Sequence, residues 1–185
     1  LQAESAAESR GEWGKLFYQH CNNYDKPDHF MVGKIWHLNV PKKIAMFLWR
    51  FTHNSLPVRT NIRRRGMDID TLCPCCRRLD EDGGHLFLKC KRVAQIWEML
   101  GMESIRRRLV KRQTAADFIN DILKLEEEDN IKVIVLLWQL WNERNNIREE
   151  GKIRSNDDIV YTVTKQTNEY YQAFLKEKGL KKTMQ

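Results

Sequence analysis

The chain has 185 residues, which is enough for one domain with an appended subdomain and for a buried core. Its 42% hydrophobic and 31% charged residues exclude an intrinsically disordered chain, and its longest apolar stretch, 133–141, is too short to cross a bilayer. The formal net charge of +7 favours polyanionic partners, either nucleic acid or an acidic membrane surface, without showing which.

The N-terminal part of the chain is expected to hold little regular structure. Residues 1–10 are polar and small and are typical of a tail, whereas 11–21 carry apolar side chains spaced for a short helix. Residues 22–29 contain Asn, Asp and Pro and predict a loop. Residues 34–40 then form a short apolar segment that leads into the first strongly periodic part of the sequence.

Two helices are predicted on either side of a break at 54–57. Pro41 suits the first turn of the first helix, and the apolar residues after it recur at helical spacing. These residues are Ile44, Phe47, Leu48 and Phe51. Pro57 can open the second helix, which is expected to end at Gly66 with three arginines in its last turn, where cations complement the helix dipole.

A further helix is predicted after the turn-rich segment 71–84, and Gly101 ends it. Its apolar residues step by three and four positions, as on the inward face of an amphipathic helix. They are Leu86, Cys90, Val93, Trp97 and Leu100.

The second half of the sequence also has a helical pattern. Residues 114–117 resemble a capping box, and Ser155 with Asp158 predicts another helix start. Residues 131–141 are apolar nearly all round and predict a buried central helix. The β-branched start of this stretch, at 131–135, is also compatible with a strand, and that alternative stays open.

Three cysteines and one histidine predict a metal site. Cys73, Cys76, His85 and Cys90 form the pattern C-x2-C-x8-H-x4-C. Two cysteines with two residues between them can place both sulfurs on one metal, and zinc takes about four nitrogen or sulfur ligands in a tetrahedron. Four protein ligands leave no open position, which indicates a structural zinc rather than a catalytic one. The alternative is that these residues bind no metal.

The spacing also predicts the local shape of the site. Five residues of α-helix rotate by roughly 140°, so we expect His85 to precede the helix and Cys90 to lie within its first turns. The glycines at 83–84 are expected to let the chain double back. Cys75 is too close to Cys73 for a comfortable chelate and is expected to stay unligated.

Seven short blocks around these residues occur in a recognisable order between 33 and 100. They are 35–43 (IWHLNVPKK), 47–50 (FLWR), 53–59 (HNSLPVR), 64–66 (RRG), 73–76 (CPCC), 84–90 (GHLFLKC) and 96–97 (IW). Together they resemble the zinc-binding domain on the C-terminal side of reverse transcriptases in plant non-LTR retrotransposons, with grass members most similar over 67–90. Residues 136–145 (LLWQLWNERN) resemble the segment that follows this domain in such polyproteins.

The resemblance implies zinc at the four residues of the pattern and a role in binding element RNA or target DNA. Members of this family commonly carry a residue other than cysteine where this chain has Cys75. The chain has no polymerase, endonuclease or RNase H-like segment, so we expect either a fragment or a relic kept without its catalytic neighbours.

Basic residues near the zinc pattern are candidate contacts to phosphate groups. They are Arg59, Arg63, Arg64, Arg65, Arg77, Arg78, Lys89, Lys91 and Arg92. One shared positive surface would bind nucleic acid with marked salt dependence, whereas the alternative is that these residues are solvated helix ends and loops. Five of the six tryptophans are spaced as core residues and are not expected to stack on bases. They are Trp36, Trp49, Trp97, Trp138 and Trp141.

No catalytic motif is found in the sequence. The acidic residues at 68–70 and 80–82 are expected to be solvated loop residues, and neither a nucleophile motif nor a phosphate-binding loop is present. We therefore expect no enzyme activity and no small-molecule substrate. The clustered cysteines and the lack of an N-terminal signal peptide indicate a reducing compartment, the nucleus or the cytoplasm.

The expected fold class is all-α, a zinc-stabilised helical domain with a helical C-terminal extension. We divide the chain into a tail and short helix at 1–30, a zinc-binding domain at 31–101, and an extension that packs on it at 102–185. The first functional hypothesis is a non-catalytic module that binds RNA or DNA. The alternatives are a co-opted protein-interaction module, such as a target or decoy for a pathogen protein in a plant, and a structural remnant without a partner.

Overall fold

The computed structural model describes the backbone of residues 29–183 and the side chains of 33–179. Within this part the chain forms eight α-helices, one π-helical turn and no strand. The helices are α1 (His29–Trp36), α2 (Lys42–Thr52), α3 (Arg59–Arg64), α4 (Lys91–Met99), α5 (Glu103–Leu109), α6 (Ala115–Ile122), α7 (Glu127–Arg148) and α8 (Asn156–Thr183). The π-helical turn, π1, is His85–Lys89. The all-α fold class is thus confirmed.

Predictions for the N-terminal part have mixed outcomes. The tail at 1–10, the helix at 11–21 and the loop up to residue 28 lie outside the described residues. His29 already belongs to α1, and the segment at 34–40 is not a simple lead-in because its first three residues complete that helix. Since α1 packs against α2, this apolar stretch is one side of a helix pair.

Helix α7 is the centre of the core. The residues at 131–135 that are compatible with a strand are helical, and the six apolar side chains in 131–137 are fully buried. An apolar surface on all sides requires neighbours on all sides, and α7 contacts α2, α6, α8 and π1. One hydrophobic cluster runs from Ile35 to Val163, so it crosses the predicted boundary between 101 and 102. That boundary stays a prediction.

Helix α2 packs its apolar face on α6 and α7 through aromatic contacts. Phe47 lies with its ring centroid 5.5 Å from that of Trp138 and 6.1 Å from that of Phe87. Phe51 lies 5.0 Å from Phe87 and 5.1 Å from Phe118. These edge-on and stacked rings place the turn π1 directly against the core.

Most of the predicted helix ends are correct to within two residues. Pro41 is the N-cap of α2 rather than a residue of its first turn, and α3 begins at Arg59. Gly66 and Gly101 take positive φ angles of 88° and 72° where a helix has just ended, as predicted. None of the described helices is both long enough and apolar enough to span a bilayer.

Both predicted capping motifs are present. The Thr114 hydroxyl accepts a hydrogen bond from the Asp117 backbone N–H at 3.0 Å. Ser155 and Asp158 cap α8 reciprocally: each backbone N–H donates to the other residue's side chain. The Ser155 hydroxyl also donates to the Asp158 carboxylate at 2.7 Å, and this bond, followed by that of the Ser155 N–H, holds the pKa of Asp158 below its ordinary value.

Candidate metal centre

The first pair of cysteines lies in a tight turn within 71–81. The Cys73 N–H donates to the Leu79 carbonyl at 2.8 Å, and inside this loop the Arg77 N–H donates to the Cys73 carbonyl at 2.9 Å. Arg77 takes a positive φ of 54°, which reverses the chain just after Cys76. The turn therefore brings the sulfurs of Cys73 and Cys76 to one side.

The glycines at 83–84 do not provide this reversal, so that prediction is wrong. Gly84 has a helical φ of −65°, and neither glycine is among the positive-φ residues of the described chain. Arg77 takes the left-handed conformation instead, because the hydrogen bond of its N–H to Cys73 closes the turn at that residue.

The second ligand pair is placed by the π-helical turn. The Cys90 N–H donates to the His85 carbonyl at 2.9 Å, a bond that spans five residues instead of four. Since a π-helical turn is wider than an α-helical one, residues five apart lie nearly above each other. The Asp82 carboxylate accepts the His85 N–H at 2.5 Å and holds the start of this turn.

The expected position of Cys90 within a helix is wrong. Cys90 is the N-cap of α4, with an extended ψ of 133°, and His85 precedes α4 as expected. The expectation assumed α-helical rotation between the two residues, whereas the chain there follows the wider π geometry.

The four ligand atoms form a compact cluster. One donor atom from each of Cys73, Cys76, His85 and Cys90 lies within 4.8 Å of the other three. Cys73 and Cys90 are 1% exposed and His85 is 4% exposed. With Zn–S bonds of about 2.3 Å, a tetrahedral zinc separates two sulfurs by about 3.8 Å, so the observed cluster needs only a small contraction to hold the ion.

The histidine ring points a nitrogen at the sulfurs. His85 Nε2 lies 3.2 Å from the Cys76 sulfur, and Nδ1 is buried without a hydrogen-bond partner among the described residues. Within the described part of the chain, the ring therefore makes its only polar contact with the cysteine cluster. A buried imidazole nitrogen that faces thiols is the donor set expected of a zinc ligand.

The protonation of the sulfurs also suits a cation. The pKa of Cys73 is lowered to about 5, chiefly because the Cys90 thiol donates a hydrogen bond to its sulfur. The hydrogen bonds that Cys90 makes to Cys73 and Cys75 raise its own pKa. A buried thiolate needs a compensating positive charge, which Zn²⁺ supplies while it displaces the remaining thiol protons.

Cys75 lies at the edge of the cluster and outside its four grouped donors. Its pKa is lowered to about 6, first by a hydrogen bond from Cys90 and further by Arg92, against the opposing effect of burial. The guanidinium of Arg92 lies 3.9 Å from the Cys75 sulfur. This placement is consistent with leaving Cys75 unligated.

A buried ion pair ties the zinc-site loop to α7. The Arg144 guanidinium donates two hydrogen bonds to the Glu81 carboxylate, at 2.8 and 2.7 Å, and one to the Pro57 carbonyl at 2.9 Å. The Glu81 carboxylate also accepts the Arg59 backbone N–H at 2.9 Å, at the start of α3. Glu81 is fully buried, so the expectation that it is a solvated loop acid is wrong.

A second ion-pair network joins α4 to the start of α8. The Glu143 carboxylate pairs with Arg92 at 3.1 Å and with Arg154 at 2.8 Å. Arg92 also donates to the Asn156 side chain at 3.0 Å and to the Arg154 carbonyl. The charge of Arg92 is therefore balanced inside the protein. No pattern in a single sequence identifies partners that lie 51 or 63 residues apart, so the pairs Arg92–Glu143 and Arg144–Glu81 could not be predicted from the sequence.

The nine basic residues predicted for phosphate binding fall into two groups. Seven of them are exposed: Arg63, Arg64, Arg65, Arg77, Arg78, Lys89 and Lys91. The other two are half-buried and form ion pairs, Arg92 with Glu143 as above and Arg59 with Asp70 at 3.2 Å. Among the tryptophans, Trp97 and Trp141 are buried as expected, whereas Trp36, Trp49 and Trp138 are only half-buried.

Comparison with known proteins agrees with the geometry of this centre. No curated protein and no solved structure matches the chain. The family model described as zinc-binding in reverse transcriptase matches residues 14–97, a segment that contains all four clustered ligands and ends within α4. Over residues 14–97 the chain is therefore similar to the zinc-binding domain of reverse transcriptases, and its Cys73, Cys76, His85 and Cys90 form a site suited to zinc.

Proposed function

We propose that this chain is a non-catalytic nucleic-acid-binding module whose fold is held by zinc. The observation that supports it most is the distribution of charge. Residues 29–67 contain no Asp and no Glu, and they contain eight basic residues: Lys34, Lys42, Lys43, Arg50, Arg59, Arg63, Arg64 and Arg65. This charge exceeds the +7 of the whole chain, so the positive excess of the molecule lies in α1–α3.

Three of these residues form an exposed arginine cluster, Arg63–Arg65, at the end of α3. Arginine presents a planar fork of donors that matches phosphate oxygens, and it keeps its charge at all physiological pH values. An unbroken positive segment attracts a phosphate backbone and releases its condensed counterions.

The zinc site supports a structural role for the metal. Four protein donors lie close enough together to hold one ion, and on zinc they would fill the usual four positions and leave none for a substrate or a reactive water. The ion would connect the cysteine turn at 73–76 to π1, and π1 packs on the core. Zinc would thus stabilise the fold that carries the basic residues of α1–α3, and this is the structural role that we propose for the ion.

The origin and cellular setting of the chain follow as parts of the same proposal. We infer descent from a plant non-LTR retrotransposon from the sequence blocks named above. The four described cysteines form no disulfide with one another, which fits a reducing compartment, the nucleus or the cytoplasm.

The test is a binding titration of zinc-loaded protein with fluorescein-labelled RNA and DNA across a series of salt concentrations. We expect binding at low salt that weakens steeply as salt is added. The plot of log K against log salt has a negative slope. Replacing Arg63, Arg64 and Arg65 together by Gln should make it shallower by about 2 to 3, because each phosphate contact contributes about −0.9.

A matched control variant loses the same amount of positive charge at three positions in and just after α5. Arg107, Arg108 and Lys111 are exposed, and their joint replacement by Gln should change the salt slope much less. The absence of any binding by the wild-type protein at low salt would refute the proposed function.

A further inference from the structure

The outer face of α2 combines aromatic and basic side chains. The inner face of the helix buries Ile44, Ala45, Phe47, Leu48, Phe51 and Thr52. The residues left on the outer side, including the C-cap, are Lys42, Lys43, Met46, Trp49, Arg50 and His53. Met46 is 47% exposed, so this face presents apolar surface as well as charge.

Trp49 and His53 form a ring pair on this face. Their ring centroids are 4.5 Å apart with an interplanar angle of 39°. The His53 Nδ1 contacts the Trp49 carbonyl at 2.7 Å, which fixes the orientation of the imidazole beside the indole. Both side chains are half-buried, so the pair is anchored in the fold while part of each ring stays accessible.

The ring pair lies between two groups of basic residues. Lys42, Lys43 and Arg50 are exposed along α2, which contains no acidic residue. Beyond the end of the helix, the Arg65 guanidinium donates to the Ser55 carbonyl at 3.4 Å. The arginine cluster therefore adjoins the His53 end of α2.

We propose that the outer face of α2 binds single-stranded nucleic acid, with the Trp49–His53 pair as the surface on which an unpaired base stacks. The inference rests on the function proposed above and specifies its ligand. Aromatic rings interleaved with positive charge are the arrangement that binds single strands without sequence preference. In a duplex the base faces are already stacked on each other, so this pair gains nothing from double-stranded DNA.

The test compares Trp49→Leu with the wild-type protein on labelled oligothymidylate and oligouridylate and on a DNA duplex. Loss of one base-stacking contact should weaken single-strand binding roughly 5- to 150-fold. The salt slope should stay unchanged, because stacking releases no counterions, and duplex binding should be largely unaffected. Trp49→Phe keeps an aromatic face and should recover part of the lost affinity.

Two further variants make the result decisive. His53→Leu removes the other ring of the pair and should also weaken single-strand binding, which gives a second measurement if Trp49→Leu unfolds. Tyr161→Leu removes an aromatic side chain that is 68% exposed on α8 and should change nothing. Thermal melting and bound zinc are measured for every variant to confirm that it is folded.

The outcomes separate this inference from the proposed function. If wild-type protein binds and the arginine-cluster variant binds less, but folded Trp49→Leu or His53→Leu binds single strands as well as wild type, the stacking site is wrong and the nucleic-acid function stands. An equal loss in Tyr161→Leu, or an equal loss on the duplex, also overturns the stacking site. If wild type binds no nucleic acid at low salt, both proposals fail.

Discussion

Replacing Arg144 by Met tests how far the helices beyond residue 97 belong to the same folded unit as the zinc site. Arg144 and Glu81 have side chains that are 2% and 0% exposed, and they share two hydrogen bonds of 2.7 and 2.8 Å. Removing the guanidinium leaves the Glu81 carboxylate buried with the Arg59 N–H as its remaining donor among the described residues, and it also removes a donor from the Pro57 carbonyl.

The expected cost is large for a single substitution. Breaking a buried ion pair by removing one partner costs about 3–5 kcal/mol. For a chain of this size, that corresponds to a decrease in the melting temperature of roughly 6–20 °C. The free energy of unfolding is measured by urea denaturation followed by tryptophan fluorescence, with zinc present in excess.

Two controls make this prediction specific. The pair Arg148–Glu149 is solvent-exposed, so Arg148→Gln should cost less than about 1 kcal/mol. Each single variant, Glu81→Gln or Arg144→Met, leaves one buried charge without its partner, whereas the double variant leaves none. The free energy of unfolding lost in the double variant should therefore be smaller than the sum of the two single losses. A cost below about 1 kcal/mol for Arg144→Met would refute the view that the loop and α7 are held together by this pair.

Three further outcomes are expected. Removal of zinc by a chelator should unfold at least 71–101, since structural zinc supplies on the order of 10 kcal/mol, and the loss is followed by hydrogen exchange. Ile134→Ala should cost about 2–5 kcal/mol in urea denaturation because Ile134 is fully buried in α7, and a cost near zero would contradict the central place of this helix. The pKa of Asp158 is lower in the folded state than its ordinary value of 3.8. The ionised Asp158 cap therefore stabilises α8 fully at pH values above 3.8, and this contribution is lost as the pH falls through the folded-state pKa. The difference in melting temperature between wild type and Asp158→Asn should therefore shrink on acidification, and a constant difference would exclude an ionised cap.

The sequence predicts those features that depend on residues close together in the chain. The apolar periodicity of α2, the caps at Thr114 and Ser155, and the zinc pattern all lie within short segments. The position of Cys90 was missed because the rotation per residue changes in π1, and spacing alone does not distinguish π from α geometry.

Features that depend on distant residues were not predicted. The carboxylate of Glu81 resembles a solvated loop acid until Arg144, 63 residues later, is placed beside it. Trp49 has the spacing of a core residue, but it lies at the border of the buried face, where one residue of rotation decides between core and surface. The lack of any acidic residue between 29 and 67 is visible in the sequence itself and marks α2 as part of a positive segment.

X-ray absorption at the zinc edge tests the four-ligand zinc site most directly. For the wild-type protein we predict one zinc per chain with three sulfur neighbours at about 2.3 Å and one nitrogen neighbour at about 2.0–2.1 Å. Cys75→Ser should give the same spectrum and the same metal content, whereas Cys73→Ser should lose the ion or a sulfur neighbour. A shell of four sulfurs, a spectrum that changes in Cys75→Ser, or purified protein that binds no zinc would contradict the assignment of Cys73, Cys76, His85 and Cys90 as the closed site.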